Sequence, residues 1–413
     1  MSIAGKLTRD GWLLFATRCS RMFAYGLLSV VLVLYLVEVG LTGWEVGLLL
    51  SLTLVGDTAI SLWLTTTADR FGRRRTLVAG AVLMALAGIV FVSTDSFILL
   101  LLAATIGVIS PSGNEIGPFL SVEQAALSHI VSDERRTGVF AWYNLVGSFS
   151  TALGALAGGL IAQQAQHMGL VGAAAFRPVL LAYAGIGLAL VGGFVCLSSA
   201  VEATRDESRP APKVVLGLHE SRRTVFKLSL LFALDALGGG FVIQSLIAYW
   251  FHLKFRLDPA MIGTIFLFAN LLAGVSALAA GWLARRIGLL NTMIFTHLPS
   301  NVLLILVPLM PSVEWAIAVL LLRFSISQMD VPTRQAYTMA VVRPDERSAA
   351  AGITGVARSV GASLSPVLAT VLVGTAGWTS VPFFLAGGLK IVYDVLLYRA
   401  FASSKDVTRT KEA

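Results

Sequence analysis

Long apolar runs separated by short polar loops fill the chain from one end to the other. Each run is close to, or longer than, the roughly 20 residues that a helix needs to cross about 30 Å of hydrocarbon. Unbroken apolar runs exclude the alternating pattern of a transmembrane barrel, which leaves helices to satisfy the backbone in lipid. We predict an all-α integral membrane protein of twelve transmembrane helices, near residues 12–36, 44–66, 76–93, 97–128, 138–162, 176–199, 228–251, 259–284, 290–310, 314–341, 350–374 and 380–401.

One long polar stretch, residues 201–224, divides the twelve predicted spans into two groups of six. Each group contains one copy of a repeated segment, since EQAALSHIVSDERR at Glu123–Arg136 aligns with RQAYTMAVVRPDERS at Arg334–Ser348 after a one-residue gap. A shorter repeat follows the second span of each group and consists of Asp69, Arg70 and Gly72 against Arg285, Arg286 and Gly288. We therefore predict two pseudo-symmetric six-helix bundles, residues 1–200 and 225–413, with a cytoplasmic linker at 201–224 and a short cytoplasmic tail. Duplicated halves are typical of alternating-access carriers.

The composition suits a lipid environment. Hydrophobic residues make up 56% of the 413 residues and charged residues only 13%, against roughly 25% charged residues in soluble proteins.

The net charge of +8 comes from Lys and Arg in the loops on one side of the spans, because the other side carries only Arg177, Lys254 and Arg256. Positive charge collects on the cytoplasmic side, so we predict a multi-pass protein of the cell (inner) membrane with both termini in the cytoplasm. Because the same bias explains the net charge, we expect no nucleic-acid partner. We also expect a monomer.

Motifs for catalysis and for cofactor binding are missing from the sequence. It contains no Walker A motif and no His, Cys and Ser constellation of the kind that catalysis needs. Cys19 and Cys196 lie in apolar runs without the spacing of metal ligands, which favours packing roles. We expect a protein that is not an enzyme, uses no cofactor or metal, and draws on a gradient to move a small-molecule substrate.

The loop after the second span reads Ala68-Asp69-Arg70-Phe71-Gly72-Arg73-Arg74-Arg75. It resembles the G-x-x-x-D-R-x-G-R-R signature of the major facilitator superfamily, although Thr65 replaces the leading glycine, which is present as Gly281 in the second half. The resemblance implies the fold of that superfamily. It also implies a cytoplasmic gating latch made of Asp69, Arg70, Gly72, Arg73 and Arg74. In this latch the acid faces the N-terminus of the eleventh predicted span, residues 350–374, and the arginines pair across the interface between the halves. The alternative is that these arginines only set the topology.

The fifth span contains the small-residue run Gly154-Ala155-Leu156-Ala157-Gly158-Gly159. This run resembles the GPxxGG element of the drug and metabolite antiporters of the superfamily, with alanine in place of proline. The resemblance implies efflux, whereas the alternative is ordinary close packing of two membrane helices, which small residues also permit.

The tenth span is rich in charge inside the membrane, where an ionisable side chain costs roughly 2.5 to 3.5 kcal/mol. Arg323, Asp330 and Arg334 share one helix face, since seven and four residues separate them. Two arginines around one acid suit an anionic substrate or a second carboxylate from another helix. A structural Asp330–Arg334 salt bridge is the alternative. The remaining candidates for substrate binding are Arg21, Gln244, Asn270 and Arg358.

The fourth span contains two prolines, two glycines and Glu115 within residues 109–118, which predicts a kink or break in the helix. Burial disfavours a charged carboxyl group, so Glu115 is our first candidate for the coupling proton, followed by Asp57 and Glu123. Pairing with Arg18 or Arg21 is the competing structural role for the last two.

Two further pairs of charges lie on single helices. Arg18 and Arg21 either receive an anion at the inner vestibule or extend to the interface, and the sequence favours extension to the interface. Lys390 and Asp394 are four residues apart and predict an internal neutralising pair.

These observations predict a secondary active transporter of a small solute that works by proton-coupled efflux. An importer or exchanger of anions or metabolites that uses the arginines inside the membrane is the first alternative. A membrane sensor or scaffold without transport activity is the second.

Overall fold

The computed structural model describes residues 7–114, 119–131, 133–202 and 218–402, and it describes their side chains except at 65–67, 69, 70, 129 and 133–138. Within these residues the regular elements are α-helices and short 3-10 turns. The α-helices are Arg9–Glu38 (α1), Gly43–Phe71 (α2), Arg73–Ser93 (α3), Phe97–Ile106 (α4), Phe119–Ile130 (α5), Asp133–His167 (α6), Arg177–Val195 (α7), Arg222–Gly240 (α8), Gln244–Phe255 (α9), Pro259–Ile287 (α10), Leu289–Leu306 (α11), Val313–Ser327 (α12), Asp330–Val341 (α13), Arg347–Leu364 (α14), Pro366–Gly374 (α15) and Val381–Phe401 (α16).

Eleven helical segments of the described chain are long and apolar enough to cross a membrane. A shorter apolar helix, α4, occupies the first part of the predicted fourth span. The predicted all-α membrane fold is therefore confirmed. Four predicted spans are helix pairs rather than single rods, namely α4 with α5, α8 with α9, α12 with α13 and α14 with α15.

The local sequence explains several of these interruptions. The glycine run 238–240 ends α8, and Pro366, which has no backbone N–H to donate, begins α15. Beside the second break, the Ser365 hydroxyl donates to the Leu237 carbonyl at 2.7 Å. Open backbone groups within the membrane are tolerated when protein groups of this kind satisfy them.

The predicted break in the fourth span is confirmed, because α4 ends at Ile106 and turns follow it to residue 114. Buried donors satisfy carbonyls that the interruption exposes. The Tyr183 hydroxyl donates to Val108 O at 2.9 Å, and the Ser110 hydroxyl donates to Asn114 O at 2.8 Å. Glu115, our first coupling candidate, lies outside the described residues.

The chain divides into two compact units. Unit 1 comprises Met1–Glu207 with Gln244–Leu267, and unit 2 comprises Ser208–Ile243 with Phe268–Ala413. Within unit 1, α1 packs closely on α6, and within unit 2, α8 packs closely on α14.

Glycines make both of these contacts possible. A Cβ atom on Gly154 of α6 would lie 2.0 Å from Phe23 O, and one on Gly158 would lie 2.4 Å from Leu27 O. In unit 2, a Cβ atom on Gly361 of α14 would lie 2.2 Å from Ala233 O. The small-residue run of the fifth span therefore has a packing role inside unit 1.

The repeat seen in the sequence is also present in the backbone. Gly72 separates α2 from α3 with a φ of 98°, and Gly288 separates α10 from α11 with a φ of 85°. Residues that carry a side chain rarely adopt such positive φ values, whereas glycine does so readily. The turn after each glycine is closed in the same way, since Thr76 donates to Gly72 O at 3.0 Å and Thr292 donates to Gly288 O at 2.8 Å.

Candidate functional site

Asp235 of α8 lies at the centre of a buried group of charges in unit 2, with only 2% of its side chain exposed. Its Oδ1 atom is 2.6 Å from Lys390 Nζ and 3.5 Å from His297 Nε2. Its Oδ2 atom is 3.0 Å from Arg358 Nη1 and 3.4 Å from Arg334 Nη1. One carboxylate thus faces basic side chains from four other helices: α11, α13, α14 and α16.

His297 connects this carboxylate to a second one. Its Nδ1 atom is 2.8 Å from Asp394 Oδ1, while its Nε2 atom faces Asp235. The Asn301 side-chain amide, one turn further along α11, donates to Asp394 Oδ2 at 3.0 Å. The imidazole therefore lies between two buried carboxylates, each within reach of a different ring nitrogen.

The predicted pair between Lys390 and Asp394 is wrong. Lys390 binds Asp235 of α8, and Asp394 binds His297 and Asn301 of α11. Both side chains leave the same face of α16 toward the interior of unit 2, so groups on neighbouring helices supply better geometry than a contact along the helix.

The third carboxylate is Asp330 at the start of α13, which is 2.7 Å from Arg334 Nη1. The salt bridge that was the structural alternative for these two residues is therefore present. Because Arg334 also reaches Asp235, it joins the pair to the larger group, and its guanidinium lies 5.7 Å from the centre of the Phe232 ring. We call the following seven residues the Asp235 cluster: Asp235, His297, Asp330, Arg334, Arg358, Lys390 and Asp394.

Arg323 of α12 and Asn270 of α10, two predicted substrate-binding residues, also belong to unit 2. Within the described residues no carboxylate lies within 4.0 Å of the Arg323 guanidinium, and neither Arg323 Nε nor Asn270 Nδ2 has a hydrogen-bond partner.

Unit 1 contains a second buried ion pair, between Arg21 of α1 and Glu123 of α5. Two nitrogens of Arg21 each lie 2.7 Å from a different oxygen of Glu123, and both side chains are 0% exposed. The Tyr143 hydroxyl also donates to Glu123. The structure therefore shows the pairing of Glu123 with Arg21 that was the alternative to a role in coupling.

The expectation that Arg21 extends to the interface is wrong, because a partner on α5 offsets the cost of burying its charge. Its neighbour Arg18 is likewise buried, and it donates from Nε to Tyr143 O at 2.9 Å.

The other predicted residues of unit 1 lie at separate places. Gln244 of α9 donates to the Ser29 hydroxyl at 2.7 Å, and Asp57 of α2 accepts from the Ser61 hydroxyl at 3.3 Å. Glu115 lies outside the described part of the chain, so a relation of either residue to it stays a prediction.

Arg73 and Arg74 of the predicted latch connect the N-terminus of α3 to neighbouring segments of unit 1. Glu202 accepts from the backbone N–H of Arg73 at 2.7 Å and of Arg74 at 3.3 Å, at the N-terminus of α3. The Arg73 guanidinium donates to Ala125 O at 3.3 Å, and the Arg74 guanidinium donates to Leu197 O at 3.2 Å. The side chains of Asp69 and Arg70 lie outside the described residues, so the predicted contact with the eleventh span, residues 350–374, stays a prediction.

The sequence analysis did not select Asp235, His297, Lys390 or Asp394 as site residues. The available signal was an ionisable residue inside an apolar run, which each of the four satisfies. They lie on three different helices, so no spacing along the chain joins them.

A helical multi-pass membrane fold that encloses buried charges is typical of secondary transporters. The family profile of the Major Facilitator Superfamily matches residues 14–329. The chain therefore belongs to the major facilitator superfamily.

A curated relative covers nearly the whole chain. It is the Uncharacterized membrane protein YJR124C of Saccharomyces cerevisiae, which is 30% identical over 419 residues, covering 94% of this chain and 93% of the yeast protein.

Solved structures show the same fold at low sequence identity. A variant of the nucleoside transporter NupG is 13% identical, with a TM-score of 0.76 over 95% of this chain and 100% of that one. The D-xylose-proton symporter is 12% identical, with a TM-score of 0.73 over 94% of this chain and 97% of that one. A bacterial homologue of the iron transporter ferroportin is 16% identical, with a TM-score of 0.71 over 95% and 99%.

Proposed function

We propose that this protein is a proton-coupled secondary transporter of a small solute and that the Asp235 cluster carries the coupling proton. The observation that supports the proposal most is the position of His297 between Asp235 and Asp394, at 3.5 and 2.8 Å. Imidazole is the side chain whose ordinary charge change falls between about pH 5 and 8.

Protonation changes what His297 can do in this position. A neutral imidazole donates from one ring nitrogen only, whereas an imidazolium donates from both. With carboxylates facing both nitrogens, the charged form satisfies two partners and the neutral form satisfies one. A proton on His297 therefore changes the hydrogen bonds of two helices, α8 and α16, at once.

The charge of the cluster also depends on this proton. With neutral His297, the three carboxylates Asp235, Asp330 and Asp394 are matched by three basic residues, Arg334, Arg358 and Lys390. Protonation adds one positive charge to a group buried 90% or more, except for Arg358. Charges in such surroundings interact strongly, and a carrier that alternates between conformations couples to protons when one conformation binds them better.

The three coupling candidates from the sequence have different roles in this proposal. Glu123 binds two nitrogens of Arg21 and accepts from Tyr143, and we assign it a structural role on this ground. Glu115 and Asp57 stay predictions as coupling groups, and so does efflux as the direction of transport.

Flux into proteoliposomes containing the full-length protein tests the proposal. Compounds that raise its thermal midpoint serve as substrates, and an imposed pH gradient serves as the driving force. We expect accumulation that a protonophore abolishes. Efflux by exchange predicts uptake into acid-loaded vesicles, and cotransport predicts uptake into alkaline-loaded vesicles.

Two outcomes contradict the proposal. Flux that does not depend on the pH gradient but requires a counter-anion indicates an anion exchanger. Binding without flux of any bound compound indicates a sensor or scaffold.

A further inference from the structure

We propose that His219 forms a pH-responsive clamp within unit 2. Its protonation fastens the segment just before α8 to the turn between α13 and α14. The clamp gives the protein a response to the pH on the side of the membrane where this turn lies, which the sequence predicts to be the cytoplasm. It does not depend on the coupling proton that we assign to His297.

Glu346 is the fixed part of the clamp. Its side chain is 0% exposed, and its carboxylate accepts from the backbone N–H groups of His219, Glu220 and Ser221, the last two at 3.0 Å. Three such donors stabilise the charged form of a carboxyl group. The segment before α8 is therefore held to the turn by its backbone, and the His219 side chain adds to this attachment.

The imidazole of His219 lies between Glu346 and a second carboxylate. Its Nδ1 atom is 3.1 Å from Glu346 Oε1, and its Nε2 atom is 3.1 Å from Asp345 Oδ2. A neutral imidazole has one N–H group, so its other nitrogen turns a lone pair toward a carboxylate oxygen. An imidazolium donates to both carboxylates. Protonation thus replaces an unfavourable contact with a charge-assisted hydrogen bond.

The other charged groups of this region have partners of their own. Arg343 binds Glu220 at 2.5 Å and approaches Asp345 at 3.7 Å. Arg222 of α8 and Arg347 of α14 each donate to a backbone carbonyl, at 2.6 and 3.0 Å. Among the described residues, the ion-pair partners of the imidazole are therefore both acidic.

The ring is accessible while its backbone is anchored. The His219 side chain is 55% exposed, so protons reach it directly from water. The preceding residue, Leu218, packs in an apolar cluster with Val225, Val342 and Ala350. A change of charge on the ring therefore acts on contacts whose positions are already set.

The clamp connects the helices that carry the Asp235 cluster. Asp235 is on α8, Arg334 is on α13 and Arg358 is on α14. A tighter attachment at low pH holds the start of α8 more firmly to the turn between the other two helices. Any conformation in which α8 leaves this turn becomes less favourable as the pH falls.

Hydrogen exchange of the purified full-length protein tests the proposal. Protection factors are used, since they remove the effect of pH on the intrinsic exchange rate. The imidazole changes its charge between about pH 5.5 and about pH 8. We expect the amides of residues 219–221 to be roughly three- to tenfold better protected at the lower pH, the size expected for two partly exposed ion pairs.

Variants assign the pH dependence to the imidazole. His219→Gln should give the protection of the native protein at high pH under both conditions. His219→Lys carries a charge under both conditions and should give stronger protection than His219→Gln in each. Asp345→Asn should reduce the protection at low pH and leave it unchanged at high pH, where the ring is neutral. The control His167→Gln, at the exposed end of α6, should keep the native pH dependence.

Two results would overturn the proposal. One is equal protection of these amides at both pH values in the native protein. The other is a pH dependence that persists in His219→Gln, which would assign it to another group. Because the measurement involves neither substrate nor gradient, failure of the clamp leaves the proposed transport function untouched.

Discussion

Glu123 and Arg334 occupy equivalent positions in the two copies of the repeated segment, and each forms a buried ion pair with the first helix of its own unit. The polarity is reversed between the copies. In unit 1 the arginine, Arg21, is on the first helix, whereas in unit 2 the acid, Asp235, is on the first helix. The two copies of the repeated segment thus each contribute one member of a buried ion pair, with opposite signs.

An aromatic ring accompanies the arginine in both copies. Arg21 lies 4.4 Å from the ring centre of Phe119, and Arg334 lies 5.7 Å from that of Phe232. Each phenylalanine precedes the acid by about one turn on the same helix. The ring therefore contributes a cation–π contact to the buried pair.

Removing one member of the unit 1 pair should destabilise the protein strongly. Glu123→Gln leaves Arg21 buried without a counter-charge, which we expect to lower the free energy of unfolding by about 3 to 5 kcal/mol. Asp95→Asn is the matched control, since Asp95 and Arg177 are exposed and should contribute only about 0 to 1 kcal/mol. Denaturant unfolding of the purified protein measures both. Equal losses would show that the buried pair has no special role.

The reversed polarity suggests a charge-swap experiment. Arg21→Glu and Glu123→Arg should each prevent stable folding, and the double variant should recover part of the lost stability. Recovery should be incomplete, because Tyr143 donates to the native carboxylate. The readout is the monodisperse fraction in size-exclusion chromatography. A double variant no better than either single one would contradict the interpretation of the repeat.

The carboxylate of Glu346, between α13 and α14, should protect the backbone amides just before α8 from hydrogen exchange. Glu346 accepts from the backbone N–H groups of His219, Glu220 and Ser221, the last two at 3.0 Å. Glu346→Gln should weaken these charge-assisted bonds, by about 1.5 to 3 kcal/mol, and speed hydrogen exchange of those amides. Asp345→Asn is the control, because Asp345 is 57% exposed and binds the ring of His219 rather than the backbone amides. Unchanged exchange rates in Glu346→Gln would contradict the role of this cap.

The close contact between α1 and α6 should not tolerate a larger residue at Gly158. A Cβ atom there would lie 2.4 Å from Leu27 O, whereas one on Gly185 of α7 meets nothing within 4 Å. Gly158→Val should cost about 1 to 3 kcal/mol or more of stability, and Gly185→Val should cost far less. Thermal unfolding compares the two. Similar midpoints would mean that the helices separate without penalty.

Much of the fold could be predicted from the sequence because lipid imposes strict rules on it. The apolar runs gave the spans, the prolines and glycines at 109–118 gave the break after α4, and the repeat anticipated the matching turns at Gly72 and Gly288. Each of these features depends on residues that are close together in the chain.

The site was harder to predict because tertiary packing chooses the partners of buried charges. The pairing of Arg334 with Asp330 follows from helix spacing and was anticipated. The same spacing rule failed for Lys390 and Asp394, whose partners Asp235 and His297 come from other helices. Several partners were within reach, and spacing along one helix could not rank them.

The role of His297 is the claim on which this account depends, and a comparison of two fluxes in proteoliposomes tests it most directly. Substrate exchange at equal pH needs no coupling proton, whereas accumulation under a pH gradient does. We predict that His297→Gln, which cannot carry the charge, retains exchange and loses accumulation. The control His167→Gln, at the exposed end of α6, should retain both. A His297→Gln protein that accumulates substrate with the gradient dependence of the native protein would contradict the account.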